Sequence, residues 1–227
     1  MKIFLDGGSL NDLKNYSKSK IISGFTTNPS LLVKSKIKDL KKFIITANKL
    51  TNKPISYEVT ADQSSAITNQ AKWINKNSIN SFIKVPILNT KGKSNLKIIK
   101  KLQSFNCKIN ITAVFTKKQI DSIITNIDKK QKTIISIFAG RIADTGKDPK
   151  VLISYSLKKK IKYKNIKILW ASVREIYNYY EAKKINCDII TMDKNLIKKL
   201  NLYNKNLTIY SKETSVQFYK DGKKIKF

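Results

Sequence analysis

A repeating alternation constrains this chain more than any single motif. Short, apolar, β-branched runs of strand length recur along it: Ile3–Leu5, Gly24–Thr26, Ile55–Val59, Phe82–Val85, Ile109–Phe115, Thr133–Phe138, Ile166–Ala171 and Asp188–Thr191. Between them stand segments with polar starts and apolar positions spaced near 3.6 residues: Leu10–Tyr16, Leu31–Leu50, Gln63–Asn75, Lys93–Ser104, Lys117–Asn126, Lys150–Leu157, Glu175–Lys183 and Asp193–Leu200. Asp62 and Asp148-Pro149 read as helix starts, with the proline near the first turn. Eight strands alternating with eight helices predict parallel βαβ units with right-handed crossovers. Closed on themselves, these make an α/β fold, a (β/α)8 TIM barrel, in a single domain over residues 1–204. An open doubly wound sheet is the competitor, but no G-x-G-x-x-G or G-x-x-x-x-G-K-[ST] loop follows any strand. Residues 205–227 are expected to form a C-terminal helical extension, with its helix within Leu207–Tyr219, packing on the barrel or on a neighbouring subunit.

Composition then narrows the chemistry. The chain has no histidine, which removes Ser-His-Asp and Cys-His nucleophile pairs, imidazole-based zinc sites and histidine general bases. Catalysis must come from Lys, Asp, Glu, Ser/Thr, Tyr or the two cysteines. Cys107 and Cys187 lie far apart inside apolar runs and read as buried free thiols, which points to the cytoplasm. The N-terminus is too short an apolar run to be a signal peptide, and no stretch approaches the ~20 apolar residues of a spanning helix, so no membrane partner is expected.

The formal net charge is +31, from 46 Lys+Arg against 15 Asp+Glu. It is spread evenly, between +6 and +8 in each of the first four 50-residue stretches, with no block or tail. Only Arg141 and Arg174 are arginine, and the other 44 basic residues are lysine. That pattern reads as a solvated, compositionally drifted surface, and a nucleic-acid partner is not expected. A lysine-rich nucleic-acid-binding barrel is the alternative of a different class.

In such a barrel the chemistry belongs at the C-terminal ends of the strands. Strand 1 ends in Asp6, strand 2 in Thr26-Thr27-Asn28-Pro29-Ser30, and strand 3 reaches Glu58. Strand 4 carries Lys84 between apolar neighbours. A buried strand lysine should snorkel out or titrate down, and desolvation with nearby cations favours the neutral amine that forms a Schiff base. Asn110 with Thr112, and Ser136 with Phe138, stand two apart and so share a face. Asp6 and Glu58 supply the carboxylates that imine chemistry needs. Arginine is the planar, bidentate phosphate binder, so placing the two arginines after strands 6 and 7, with Ser172 beside one, predicts a phosphorylated substrate.

Asp6, Gly24-Phe25-Thr26-Thr27-Asn28-Pro29-Ser30, Phe82-Ile83-Lys84-Val85-Pro86, Ile109-Asn110-Ile111-Thr112, Phe138-Ala139-Gly140-Arg141 and Ala171-Ser172-Val173-Arg174 together resemble the transaldolases. The likeness is to the short members that include fructose-6-phosphate aldolases, and it runs in order from residue 1 to about 200. The resemblance implies a Schiff base on Lys84, acid–base work by Asp6, and a proton-shuttling water held by Glu58 and Thr112. It implies further that Thr26, Asn28, Asn110, Ser136 and Phe138 line the substrate, and that Arg141, Ser172 and Arg174 hold its phosphate. Aldolase-type members carry glutamine and tyrosine where Glu58 and Phe138 stand, so the likeness favours a pentose-phosphate-pathway transaldolase acting on sugar phosphates. An enzyme releasing free dihydroxyacetone is the alternative. No metal and no cofactor are implied. A ring-shaped homo-oligomer, a pentamer or a decamer, is.

Overall fold

The computed structural model describes residues 1–226. The β-branched runs pair edge to edge, as residues suited to a pleated, buried surface do. They form β1 (Lys2–Asp6), β2 (Ile22–Thr26), β3 (Ile55–Glu58), β4 (Ser81–Pro86), β5 (Ile109–Val114), β6 (Thr133–Ile137), β7 (Ile166–Trp170) and β8 (Ile189–Met192). All neighbours are parallel and in sequence order, and β8 pairs back onto β1, so the sheet is a closed barrel without edges. The helices are α1 (Leu10–Tyr16), α2 (Pro29–Lys34), α3 (Leu40–Leu50), α4 (Ser64–Asn77), α5 (Leu96–Ser104), α6 (Lys117–Asn126), α7 (Ala139–Ala143), α8 (Pro149–Lys159), α9 (Tyr177–Lys184), α10 (Lys194–Lys198) and α11 (Leu207–Gly222). The (β/α)8 barrel expected from the alternation is the fold.

Strand periodicity divides the core in two. Outward residues such as Leu5, Ile83, Val85, Ile111, Ile135, Ile168 and Trp170 are buried beneath the helices in one large apolar cluster. The inward rows change character along each strand. Lys2, Phe4 and Asp6 share the inner face of β1. Lys108, Asn110 and Thr112 do so on β5, while Lys132, Ile134 and Ser136 run up β6. Phe4, Ile134, Leu169, Ala171 and Ile189 meet at mid-height as a separate buried cluster, with Phe82 and Phe138 against it. This plug makes the interior a packed core rather than a pore. Gly24, opposite Phe4, is needed there, since a Cβ at that position would lie 2.7 Å from the Phe4 ring.

Three sequence expectations need correction. The single segment Leu31–Leu50 is two helices, because Lys36 takes a left-handed φ of 58° and Asp39 caps a new start by accepting from Lys42 N. Asp62 does not cap α4. Its carboxylate accepts from Thr90 N and Thr90 Oγ1 at 2.8 and 2.7 Å, stitching the β3–α4 and β4–α5 loops together. Asp193 lies just outside α10 as its cap, accepting from Asn195 N and Leu196 N. Asp148-Pro149 does start α8 as read.

Cys107 and Cys187 are free and buried. The terminal helix forms as α11, but none of its residues is buried. Residue 227, the last of the expected extension, lies outside the described residues. Among the described residues no helix is long and apolar enough to cross a membrane.

Candidate active site

The upper ends of the inward rows converge on a pocket of about 210 Å³ at the C-terminal mouth. Its wall includes Asp6, Thr26, Asn28, Lys84, Ser136, Phe138, Arg141, Ser172 and Arg174, nine of the residues singled out by sequence. Glu58 and Asn110 are not part of that wall but bond to it directly, Glu58 through Lys84 and Asn110 through Ser136, and Thr112 does not line it.

Lys84 is only 5% exposed. It does not snorkel out to solvent, one of the two outcomes the apolar run suggested. Its Nζ pairs with Glu58 Oε2 at 3.0 Å and donates to Thr27 O at 3.0 Å. The pairing follows from register, because Glu58 and Lys84 are directly opposed on β3 and β4, one strand spacing apart. A buried cation needs such a partner, and here the partner is also a proton acceptor.

Asp6 accepts from Thr26 Oγ1 at 2.7 Å, and Thr26 Oγ1 lies 2.6 Å from Thr191 Oγ1. Since Thr26 gives its only proton to Asp6, Thr191 is the donor in the second bond. Burial pushes the Asp6 carboxyl above the usual carboxylate range. Lys84 and the Thr26 hydroxyl pull it back, and the carboxylates of Asp193 and Glu58 push it up again.

Asn110 is fully buried and serves as a bridge. Its Nδ2 donates to Ser56 Oγ at 3.0 Å, and its Oδ1 accepts from Ser136 Oγ at 2.7 Å. One Nδ2 hydrogen is left to point elsewhere. Thr112 Oγ1 is buried with no hydrogen-bond partner in the described structure. The next residue, Ala113, takes φ 56° where the β5–β6 ladder slips, a strained conformation beside the site. Asn28 lines the pocket and caps α2, accepting from Leu31 N at 2.9 Å, so its Oδ1 is committed and its Nδ2 is left to donate.

The two arginine loops meet because Gly140 has no side chain. A Cβ there would lie 1.7 Å from Ser172 O, and Ser172 itself takes φ 61°. Arg174 pairs with Asp144, and the guanidinium of Arg141 stacks on the Phe138 ring at 5.3 Å. Both arginines border the pocket, so the mouth carries guanidinium N–H groups along one side.

Sequence reading missed Thr191, Asp193, Ser56 and the Thr27 carbonyl. Thr191 and Asp193 stand at the end of β8, the one strand end left without a candidate. Inspecting that strand end would have found both.

Fold and site together define a (β/α)8 barrel whose C-terminal mouth holds a buried lysine–glutamate pair and an aspartate whose carboxyl burial pushes above its usual range. The chain belongs to the transaldolase/fructose-6-phosphate aldolase family, whose model matches residues 3–226. A protein named probable transaldolase from Nitrosopumilus maritimus is 31% identical over 204 residues, covering 88% of this chain and 87% of its own. One of the same name from Thermoplasma volcanium is 30% identical over 232 residues, covering 99% and 96%. Among solved structures, N-(5'-phosphoribosyl)anthranilate isomerase from Pyrococcus furiosus superimposes with a TM-score of 0.52 at 14% identity, over 85% of this chain and 88% of that one. That last likeness speaks for the barrel alone.

Proposed function

We propose that this chain is a Schiff-base transaldolase that moves a dihydroxyacetone unit from a ketose phosphate to an aldose phosphate. The observation that carries the reading is the buried Lys84–Glu58 pair beside Asp6 on one mouth of the barrel. An ammonium is not a nucleophile, but one with a carboxylate at 3.0 Å has somewhere to leave its proton.

Lys84 hands that proton to Glu58, and its neutral amine attacks the ketose carbonyl carbon. The carbinolamine loses its hydroxyl as water, the proton coming back from Glu58 through a water; the unpartnered Thr112 hydroxyl supports its assignment as that water's holder. An iminium on Lys84 results. Asp6 then takes the proton of the substrate's C4 hydroxyl, the C3–C4 bond breaks, and its electron pair moves into the iminium as an enamine. The aldose leaves. The enamine carbon attacks the acceptor's aldehyde carbon, Asp6 returns a proton to the new hydroxyl, and water frees Lys84. A carboxyl held above its ordinary range serves both directions of that transfer. The Ser56–Asn110–Ser136 bridge fixes the Ser136 hydroxyl for the substrate, and Arg141, Ser172 and Arg174 offer donors to the phosphate.

Retention of the enamine for an acceptor, against its protonation and release, separates this transferase from an aldolase. Glu58 and Phe138, where aldolase-type relatives carry glutamine and tyrosine, support the transferase. The reading extends to a homo-oligomer, since α11 leaves Leu207, Ile209, Phe218 and Tyr219 uncovered. Borohydride trapping with fructose-6-phosphate, followed by peptide mass analysis, tests the mechanism. The expected adduct is on the peptide containing Lys84, and its absence there sinks the mechanism. The same substrate with and without erythrose-4-phosphate tests the partition. Glyceraldehyde-3-phosphate forming at the same rate without an acceptor would instead make it an aldolase.

A further inference from the structure

We propose that the N-terminal mouth of the barrel is a second binding site, for a small polyanion carrying two or more phosphates. The lower ends of the same inward rows open on a cavity of about 810 Å³, against about 210 Å³ at the catalytic mouth. That volume lies in the range of small-molecule sites, roughly 300–1,000 Å³. Phe4, Phe82, Ile134 and Ile189 close its floor, so the space is a cup and not a channel.

Its wall is basic for a reason that surface drift does not supply. Lysines scattered by composition would fall on both faces of the strands. Lys2, Lys108, Lys132 and Lys167 instead sit two residues before Phe4, Asn110, Ile134 and Leu169, so strand alternation puts all four on inner rows. Barrel closure gathers residues up to 165 positions apart into one ring. Lys164 and Lys183 join from neighbouring loops.

Among the described residues, the one carboxylate lining the cup is already engaged. Asp188 pairs with Lys160 at 2.8 Å and Lys167 at 3.5 Å, and accepts from Ile168 N at 2.8 Å. Among the described residues, Lys2, Lys108, Lys132, Lys164 and Lys183 make no ion pair. Lys108 is steadied at the lip by Asn80 Oδ1 at 2.9 Å, while burial and the facing Lys132 hold its ammonium below the usual lysine range. Unmatched cations around one concave mouth add their fields and repel one another until an anion arrives. A sugar monophosphate brings too little charge to match five of them. A duplex is too wide to enter a cup of about 810 Å³. A short phosphate chain matches both the number and the confinement of the cations, and Phe82, only partly buried, gives a planar group a face to rest on.

The chain of phosphates could come from inorganic polyphosphate or from a nucleotide, and the test separates them. Isothermal titration of the full-length protein at about 0.15 M salt would use tripolyphosphate, ATP and adenosine as probes. The expected result is one saturable site for tripolyphosphate and for ATP, and none for adenosine. Equal affinity points to the phosphate chain alone, and tighter ATP to a nucleotide on Phe82. Charge reversal in Lys108→Glu/Lys132→Glu should weaken both by at least about tenfold. Arg141→Gln/Arg174→Gln, at the opposite mouth, should change them by less than about twofold. Where the reversal disturbs folding, acetylation footprinting of the unmutated protein takes its place. Tripolyphosphate should shield Lys108 and Lys132 but not the helix lysines Lys117 and Lys118. No saturable binding, loss that follows the arginines, or displacement of both probes by a single-stranded oligonucleotide covering many nucleotides would each overturn the proposal. The site does not depend on the reaction proposed for the other mouth.

Discussion

The two mouths of this barrel are the two ends of the same inward rows, yet they treat positive charge in opposite ways. At the upper mouth the cations are held. Lys84 meets Glu58, Arg174 meets Asp144, and Arg141 lies on Phe138. At the lower mouth Lys108 and Lys132 face each other, and the nearby carboxylate of Asp188 is occupied by others. The contrast separates two uses of a lysine in a concave site. A paired, buried one has a fixed position and an acceptor for its proton, which suits chemistry. An unpaired one in a wide cup has no carboxylate to take its proton, and suits capture of an anion.

The largest effect that could break this division is on turnover. Lys84→Met is expected to cost at least about a thousandfold in the coupled assay, whereas Lys132→Gln should stay within about twofold. Comparable losses would erase the distinction between the mouths. Lys84→Met also leaves Glu58 buried without its partner, a loss of about 3 kcal/mol in urea unfolding, and adding Glu58→Gln should recover part of it.

Next is Asp6→Asn, expected to lower turnover by about a hundredfold or more. It carries a pH signature as well. The folded carboxyl lies above its unfolded value because of burial. Asp6 therefore costs stability as pH rises from the unfolded value, near 3.8, through the raised folded one. Asp6→Asn should gain on the parent protein across that acidic window and hold the gain above it, as read by melting temperature against pH. An unchanged difference across the window would remove burial as the dominant influence on Asp6.

Gly140→Ala should act on the upper mouth alone. Its Cβ forces the arginine loops apart, so KM for a phosphorylated donor should rise at least about tenfold while tripolyphosphate binding is unaffected. The smallest effect belongs to the lower mouth. Lys132→Gln relieves repulsion with Lys108 and should raise the melting temperature by about a degree at low salt, an advantage that about 0.5 M salt abolishes.

Most of the fold was legible because alternation is a local property. Every predicted strand run overlaps an observed strand, since β-branched runs of four to six residues have few other places to go. The break within Leu31–Leu50 was not legible, because apolar spacing continues across it. Only the left-handed Lys36 and the Asp39 cap reveal it. Short α7 was missed for a similar reason, being a five-residue turn inside a loop. At the site, Lys84 and Asp6 stood out as charges inside apolar runs, and the arginines as exceptions in a lysine-rich chain. Thr191 and Ser56 gave no such signal, because small hydroxyl residues in strands are common, and their role is visible only in what they touch.

Residue order alone was enough for the barrel, for the side of each strand on which a residue lies, and for the absence of imidazole chemistry. These follow from periodicity and composition, which act within a few residues. Pairing needed the closed sheet. Register places Glu58 against Lys84, closure brings Thr191 to Thr26 across 165 residues, and the bareness of Gly140 lets two loops touch. The same closure turned an evenly spread charge into one neutralised mouth and one basic cup, because charges interact through space, at distances that sequence separation does not measure.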